Sequence, residues 1–233
     1  MKNLSAVVIC LFLFIAGCNM DAGGDGGSLK GDDLVPGAGA EDYTAQDYEA
    51  EYKMWQQSQT PFADADKTEQ GDSQMCWAAA AANLITWSGW AADEDDTFDI
   101  FKDQFEDKAG YVYDALRYYF ANYVSGVSAE MVTVRESHSH KLLDFIVSAV
   151  HEGRGVAIKI NYPGKKTGHF LSIYGYRYLA EEDNFILFFT DSDDGLHQMR
   201  QFKVAWIDAN DRWEIQYLYS DYYLEYAISL ARD

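Results

Sequence analysis

The spacing of apolar positions changes several times along this chain, and each change marks an element. Ala6–Ile15 is an unbroken apolar run behind one basic residue, Lys2. From Asn19 to about Thr60 large apolar residues are sparse, and Gly, Ala and Asp dominate, as in Gly23-Gly24-Asp25-Gly26-Gly27-Ser28. Beyond that, helical spacing predicts helices at Cys76 to about Ser88, Thr97–Phe105, Val112–Tyr123 and His140–His151. Alanine, the best intrinsic helix former, supplies Ala78–Ala82 of the first. Asp72 or Ser73 is placed to cap its start, and Gly89 to stop it. Gly153-Arg154-Gly155 breaks the helical pattern, and strands are predicted at Val156–Tyr162, His169–Tyr178, Phe185–Thr190, Gln201–Ile207 and Trp213–Tyr219. Helices first and antiparallel strands second predict an α+β domain, not a βαβ sheet.

The N-terminal run is too short to span a membrane comfortably and has the layout of a secretory leader. It ends in Ile15-Ala16-Gly17-Cys18, which resembles the bacterial lipobox. That resemblance implies cleavage before Cys18, lipidation of its sulfur, and an exported protein anchored to a bacterial membrane or cell surface. The division expected is a signal peptide at 1–17, a flexible acidic Gly-rich tether at 18–60, and one folded domain at 61–233. A coil of about 40 residues reaches roughly 35 Å, enough to hold a domain off a membrane. Within the tether, Tyr43–Trp55 is rich enough in aromatics to dock as a short helix.

The formal charge is −20, and −21 once Lys2 leaves with the leader. Such a surface repels nucleic acid and anionic lipid headgroups, and no basic patch with interleaved aromatics argues otherwise. The partners expected are a protein substrate and, through the N-terminal lipid, a membrane.

Of three cysteines, Cys10 lies in the leader and Cys18 is the lipidation site. The mature chain is therefore expected to keep the Cys76 thiol with no intrachain disulfide open to it. Cys76 begins an alanine-rich helix, and a helix N-terminus stabilises a thiolate. A cysteine nucleophile also needs an imidazole within reach and a group to fix the ring's tautomer. Gly168-His169-Phe170 puts a histidine at the start of an apolar strand, and Thr190-Asp191-Ser192-Asp193-Asp194 ends the next strand in acids. If those two strands pair as a hairpin, Asp191 comes near His169. Taken singly, each has a plain reading: a packed small hydrophobe, a strand-end histidine, a solvated turn.

In this order the residues resemble papain-type cysteine peptidases, and more closely the immunoglobulin G-degrading IdeS/Mac endopeptidases. The matching pieces are Lys67-Thr68, Cys76-Trp77-Ala78-Ala79, His169 with its apolar strand, and Thr190-Asp191-Ser192-Asp193 with Met199 and Phe202 beyond. The resemblance implies a papain-like fold, in which a helix carrying the cysteine packs on an antiparallel sheet carrying His and Asp. It makes Cys76 the nucleophile, His169 the general base and acid, Asp191 the group orienting His169, and Asp193 a second supporting acid. Lys67 would hold the oxyanion with the Cys76 amide. It lies one residue closer to the cysteine than the family spacing, and Gln70, six residues before Cys76, competes for the role. No cofactor and no metal are implied, and immunoglobulin G is the substrate the resemblance suggests.

Two other readings keep the same residues. Another acyl transfer, of amidase or transglutaminase type, would use the same Cys-His-Asp set; a binding lipoprotein would keep the fold without the chemistry. His138-Ser139-His140 has no further Cys or His at ligand spacing, so an exposed helix start is expected there. Gly164-Lys165-Lys166-Thr167-Gly168 lacks the order of a phosphate loop and leads into a strand.

Overall fold

The computed structural model describes residues 62–232 apart from 69, 128, 136, 165–167, 180 and 218–219. The expected leader, the lipidated Cys18, the tether and the Tyr43–Trp55 segment lie outside the described residues. Among those described, four helices and one seven-stranded sheet form a mixed α+β fold.

The helices are α1 (Cys76–Trp87), α2 (Glu94–Phe105), α3 (Val112–Tyr123) and α4 (Lys141–His151). The strands are β1 (Met131–Val134), β2 (Gly155–Asn161), β3 (Gly168–Leu179), β4 (Asn184–Thr190), β5 (Arg200–Ile207), β6 (Arg212–Tyr217) and β7 (Ser220–Leu230). The sheet runs β1-β7-β2-β3-β4-β5-β6, every described pairing is antiparallel, and β7 also pairs with β6.

Period-two alternation sends successive side chains of each strand into different cores. Ala157 and Phe170 join α1, α2 and α3, where Ala78–Ala82, Phe98, Phe101 and Leu116 are buried. Val156, Ile158 and Leu171 pack instead with Leu142, Leu143, Ile146 and Val147 of α4. The alanine run lets α1 lie close to its neighbours, and its first ten residues, Cys76–Ile85, are all buried. Gly110 is required by that closeness: a Cβ there would stand 2.6 Å from the Trp77 ring, whose indole N–H donates to the Lys108 carbonyl.

Two strands were not expected from the pattern. β1 is short and half-buried throughout. β7 lies inside the sheet between β1 and β2, and Leu224, Tyr226, Ile228 and Leu230 are buried. Asp221, Glu225 and Ser229 interrupt its apolar run, which hid it in the sequence. The expected capping also differs. No side chain caps α1, whose N-cap is Met75. Asp72 instead accepts from the Thr68 amide and hydroxyl, and the Ser73 hydroxyl donates to Asp107. Gly89 does end the helix, at φ 87°, a left-handed conformation that glycine adopts without strain.

A strap of extended chain, residues 62–67, crosses the domain ahead of α1. Its polar backbone groups are held by named partners. The Ala63 carbonyl accepts from the Tyr174 hydroxyl at 2.5 Å, the Asp64 amide donates to Glu94, and the Ala65 amide donates to Asn83 at 2.7 Å. The Lys67 amide donates to the Ser192 carbonyl at 2.8 Å. Asn83 also points its amide nitrogen at the Ser172 and Thr190 hydroxyls, so one buried residue ties α1, the strap, β3 and β4 together.

Candidate active site

β3 and β4 form the hairpin that brings His169 to Asp191: Ser172 pairs with Thr190, so the start of β3 lies beside the end of β4. Gly168 is needed for a reason other than turning. A Cβ there would meet the Asn161 carboxamide oxygen at 2.2 Å and the Lys159 side chain at 2.4 Å, so only glycine passes this point.

His169 is 4 % exposed and Asp191 2 %. The ring's Nε2 lies 2.6 Å from Asp191 Oδ1, and that same oxygen accepts from the Asp193 amide at 3.0 Å. Nδ1 is buried and has no hydrogen-bond partner; Asp193 Oδ2 lies 3.7 Å from it. Burial opposes a charged ring, but Asp191, then Asp193, outweigh it and hold the His169 pKa above its ordinary value. Burial likewise opposes the Asp191 carboxylate, and the charge and hydrogen bond of His169 overcome it, leaving Asp191 below the usual carboxylate range. The pair therefore favours imidazolium with carboxylate, with Nε2–H donating and Nδ1 turned to the remaining side of the site.

Lys67 joins this pair to the loop that precedes Cys76. Its Nζ lies 2.6 Å from Asp193 Oδ1 and donates to the Ser73 carbonyl at 2.8 Å, three residues before Cys76. The lysine side chain is fully buried. Asp107 fixes the other side of the loop through the Gln74 amide at 2.7 Å and the Ser73 hydroxyl at 2.8 Å. Thus Lys67, His169, Asp191 and Asp193 gather in one region, and Lys67 ties them to the loop three residues before Cys76. Gln70, by contrast, is exposed, and its amide meets only the nearby Thr68 hydroxyl, at 3.4 Å. Asn83 and Asp107, which support the site, were not singled out in the sequence, and Ser73 was expected only as a helix cap; an Asn at the middle of an alanine helix was the available signal for the first.

The expected free thiol requires a correction. Cys76 is disulfide-bonded, and it is fully covered. A sulfur in a disulfide is not a nucleophile, so attack by Cys76 requires it first to be released and uncovered.

His169, Asp191 and Asp193 also offer ligand atoms that all lie within 4.8 Å of one another, which a cation could use. The Lys67 ammonium already sits on Asp193, and Nε2 is engaged with Asp191, so the carboxylates have cationic partners within the chain. The first turn of α1 holds no acidic residue, which leaves the positive pole of the helix uncancelled by its own side chains. His138 and His140 do not join in a metal group: His138 Nδ1 lies 2.9 Å from the Asp211 carbonyl oxygen, and His140 stacks on Trp206.

No protein-family model matches this chain, and no curated protein matches it.

Proposed function

We propose that this chain is a papain-like cysteine endopeptidase, exported and lipid-anchored through Cys18, that hydrolyses peptide bonds of extracellular proteins. The observation that carries this reading is the His169 ring: Nε2 is held by a buried carboxylate at 2.6 Å while Nδ1 is buried without a hydrogen-bond partner. An imidazole oriented by a carboxylate on one nitrogen and left available on the other is what a thiol nucleophile needs.

Catalysis requires Cys76 as a thiol: its disulfide is opened by two-electron reduction, in which an external dithiol gives up two hydrogens and becomes a disulfide itself. The His169 Nδ1 then takes the Cys76 proton, and its raised pKa favours the thiolate–imidazolium pair. The thiolate adds to the peptide carbonyl, whose oxygen becomes an oxyanion stabilised by the Cys76 amide and Lys67. His169 returns the proton to the leaving amine as the C–N bond breaks, and a thioester remains. Water, deprotonated by His169, adds to the thioester and expels the thiolate, releasing the acid. Asp191 keeps Nε2–H donating throughout, and Asp193 holds both Lys67 and the ring edge. Lys67 is preferred over Gln70 because it is buried among the site residues and Gln70 is exposed.

Immunoglobulin G is the first substrate to try, on the resemblance alone. The mature chain, incubated with intact human immunoglobulin G, is expected to give discrete large fragments that Cys76→Ala and His169→Ala do not give. Full cleavage by both variants would remove these residues from the mechanism. Absence of cleavage by the wild type, with one-to-one labelling of Cys76 by a peptidyl epoxide, would keep the peptidase and discard the antibody.

A further inference from the structure

A cavity of about 580 Å³ opens at the far end of the sheet from His169, between the start of α4 and the outer ends of the β3–β4 and β5–β6 hairpins. Tyr178, on its wall, is nine residues along β3 from His169, roughly 30 Å at strand rise. It is thus a separate place on the molecule.

Its walls combine two chemistries. Tyr178, Phe185, Trp206 and Trp213 supply aromatic surface. Trp206 and Trp213 meet edge-on at 5.4 Å between centroids, and the His140 ring stacks on Trp206 at 3.8 Å, so the rings form one aromatic wall. Asp144, Glu182, Asp183 and Asp208 supply carboxylates, and no lining residue is Lys or Arg. Within the group, Lys203 answers Glu182, and the Tyr178 hydroxyl donates to Asp183 at 2.7 Å. Aromatic faces attract cations, and carboxylates accept their N–H groups. A compact ammonium uses either feature; a planar guanidinium uses both at once, its face on an indole and its edge on a carboxylate.

We propose that this cavity binds an arginine side chain presented by a partner polypeptide. The strong negative charge of the whole chain draws such a partner in. Trp213 adds a reason to expect a polypeptide over a small cation. It is 6 % exposed, and its indole N–H has no hydrogen-bond partner. A backbone carbonyl is the acceptor a bound peptide brings; the atom is covered here, so that contact takes a small turn of the ring. The proposal does not depend on the peptidase reading, since none of these residues belongs to the Cys76 site.

The test is tryptophan fluorescence of the mature chain titrated with the peptide Gly-Gly-Arg-Gly-Gly and with its citrulline counterpart, which keeps the shape and loses the charge. Saturable quenching by the arginine peptide is expected, at least fivefold weaker with citrulline. Asp144→Asn combined with Asp208→Asn is expected to weaken arginine binding about tenfold. Removing two charges elsewhere, with Asp96→Asn and Asp103→Asn on α2, is expected to leave it within twofold. Trp206→Phe keeps an aromatic wall and retains binding, while Trp206→Ala loses it; both are checked for an unchanged melting temperature. Equal affinity for the two peptides, equal effects of the two double variants, or quenching by a neutral cello-oligosaccharide in place of the arginine peptide would each overturn the proposal.

Discussion

Asp64 and Asp66 on the strap and Asp191 after β4 are aspartates drawn wholly or partly into the fold, and they behave in opposite ways. Asp191 is held below the usual carboxylate range because His169 gives it both a charge and a hydrogen bond that exceed the penalty of burial. Asp64, buried to a similar extent, is pushed up to about 8 by burial, with the Asp66 charge adding to it. Asp66 rises to about 6, again through burial first, then Asp194 and Asp191. Depth does not separate these carboxylates; the cation beside them does. Asp191 faces His169 at 2.6 Å, whereas Asp64 takes one backbone amide, from Gln198, and its Oδ1 has no partner. Asp191 stays charged beside its cation; on the strap, a value of about 8 keeps Asp64 mostly protonated at pH 7, while about 6 leaves Asp66 mostly ionised.

The comparison breaks most sharply at Asp191. Asp191→Asn keeps the shape and removes the charge, and is expected to lower kcat/KM by about 10²–10⁴, as loss of an orienting carboxylate does in related constellations. The check is the rate on any substrate the chain cleaves, together with the pH profile. His169 should titrate lower in the variant, moving the alkaline limb of imidazolium-dependent labelling of Cys76 to lower pH. Lys67→Met comes next. It strips the closer cation from Asp193 and a donor from the Ser73 carbonyl, leaving a half-buried carboxylate with only the more distant His169 ring, which costs about 3 kcal/mol. A fall in melting temperature of roughly 6–12 °C is expected from that loss. A variant as stable as the wild type would mean that Asp193 does not need Lys67.

How much of this was legible beforehand depended on whether a residue signals by itself or only through its partners. The helix over Val112–Tyr123 and the hairpin carrying His169 and Asp191 could be read from spacing, because apolar period and strand order are local properties. The approach of Lys67 to Asp193 was not local in this sense; only the order of motifs in the resemblance suggested it. β7 could not be read from spacing, because Asp221, Glu225 and Ser229 interrupt the continuous apolar run that a strand buried between two others would show. Gln70 and Lys67 were indistinguishable by distance along the chain; burial separates them. Asp64 and Asp66 were not singled out, since nothing in the sequence reveals that the strap is tied to Asn83, Glu94 and Lys67's own partners. The Cys76 disulfide was missed because the reading removed the leader before counting cysteines.

Asn83 sharpens the comparison from the strap's side. Its side chain satisfies the Ala65 amide and reaches two hydroxyls on the sheet. Asn83→Ala leaves a buried amide unpaired, at about 1–3 kcal/mol. The expected readout is faster exchange of the Ala65 and Lys67 amides and greater proteolysis near residue 65, with activity falling in step because the same strap positions Lys67. Unchanged exchange at Ala65 would show that the strap is held mainly by its other bonds.

The smallest effect in size is the most specific. Asp64 has a folded pKa of about 8 against an ordinary value of 3.8. A carboxyl with a raised folded pKa contributes stability that is fully present below the unfolded pKa and lost as pH rises through the folded one. The window for Asp64 therefore runs from about pH 4 to about pH 8. His169 acts in the same direction, its contribution present below the ordinary histidine pKa and lost above its raised folded value; Asp191 acts oppositely, losing its contribution as pH falls through its lowered value. Asp64→Asn separates these, because it mimics the protonated acid at every pH and leaves His169 and Asp191 in place. At pH 4 the variant and the wild type should melt at nearly the same temperature. Their difference should grow in the variant's favour up to about pH 8 and then level off, while Asp191→Asn shows no such gain. A constant difference across that range would mean that Asp64 is ionised in the fold, and that a carboxylate can be buried beside Asp66 without the cation that Asp191 requires.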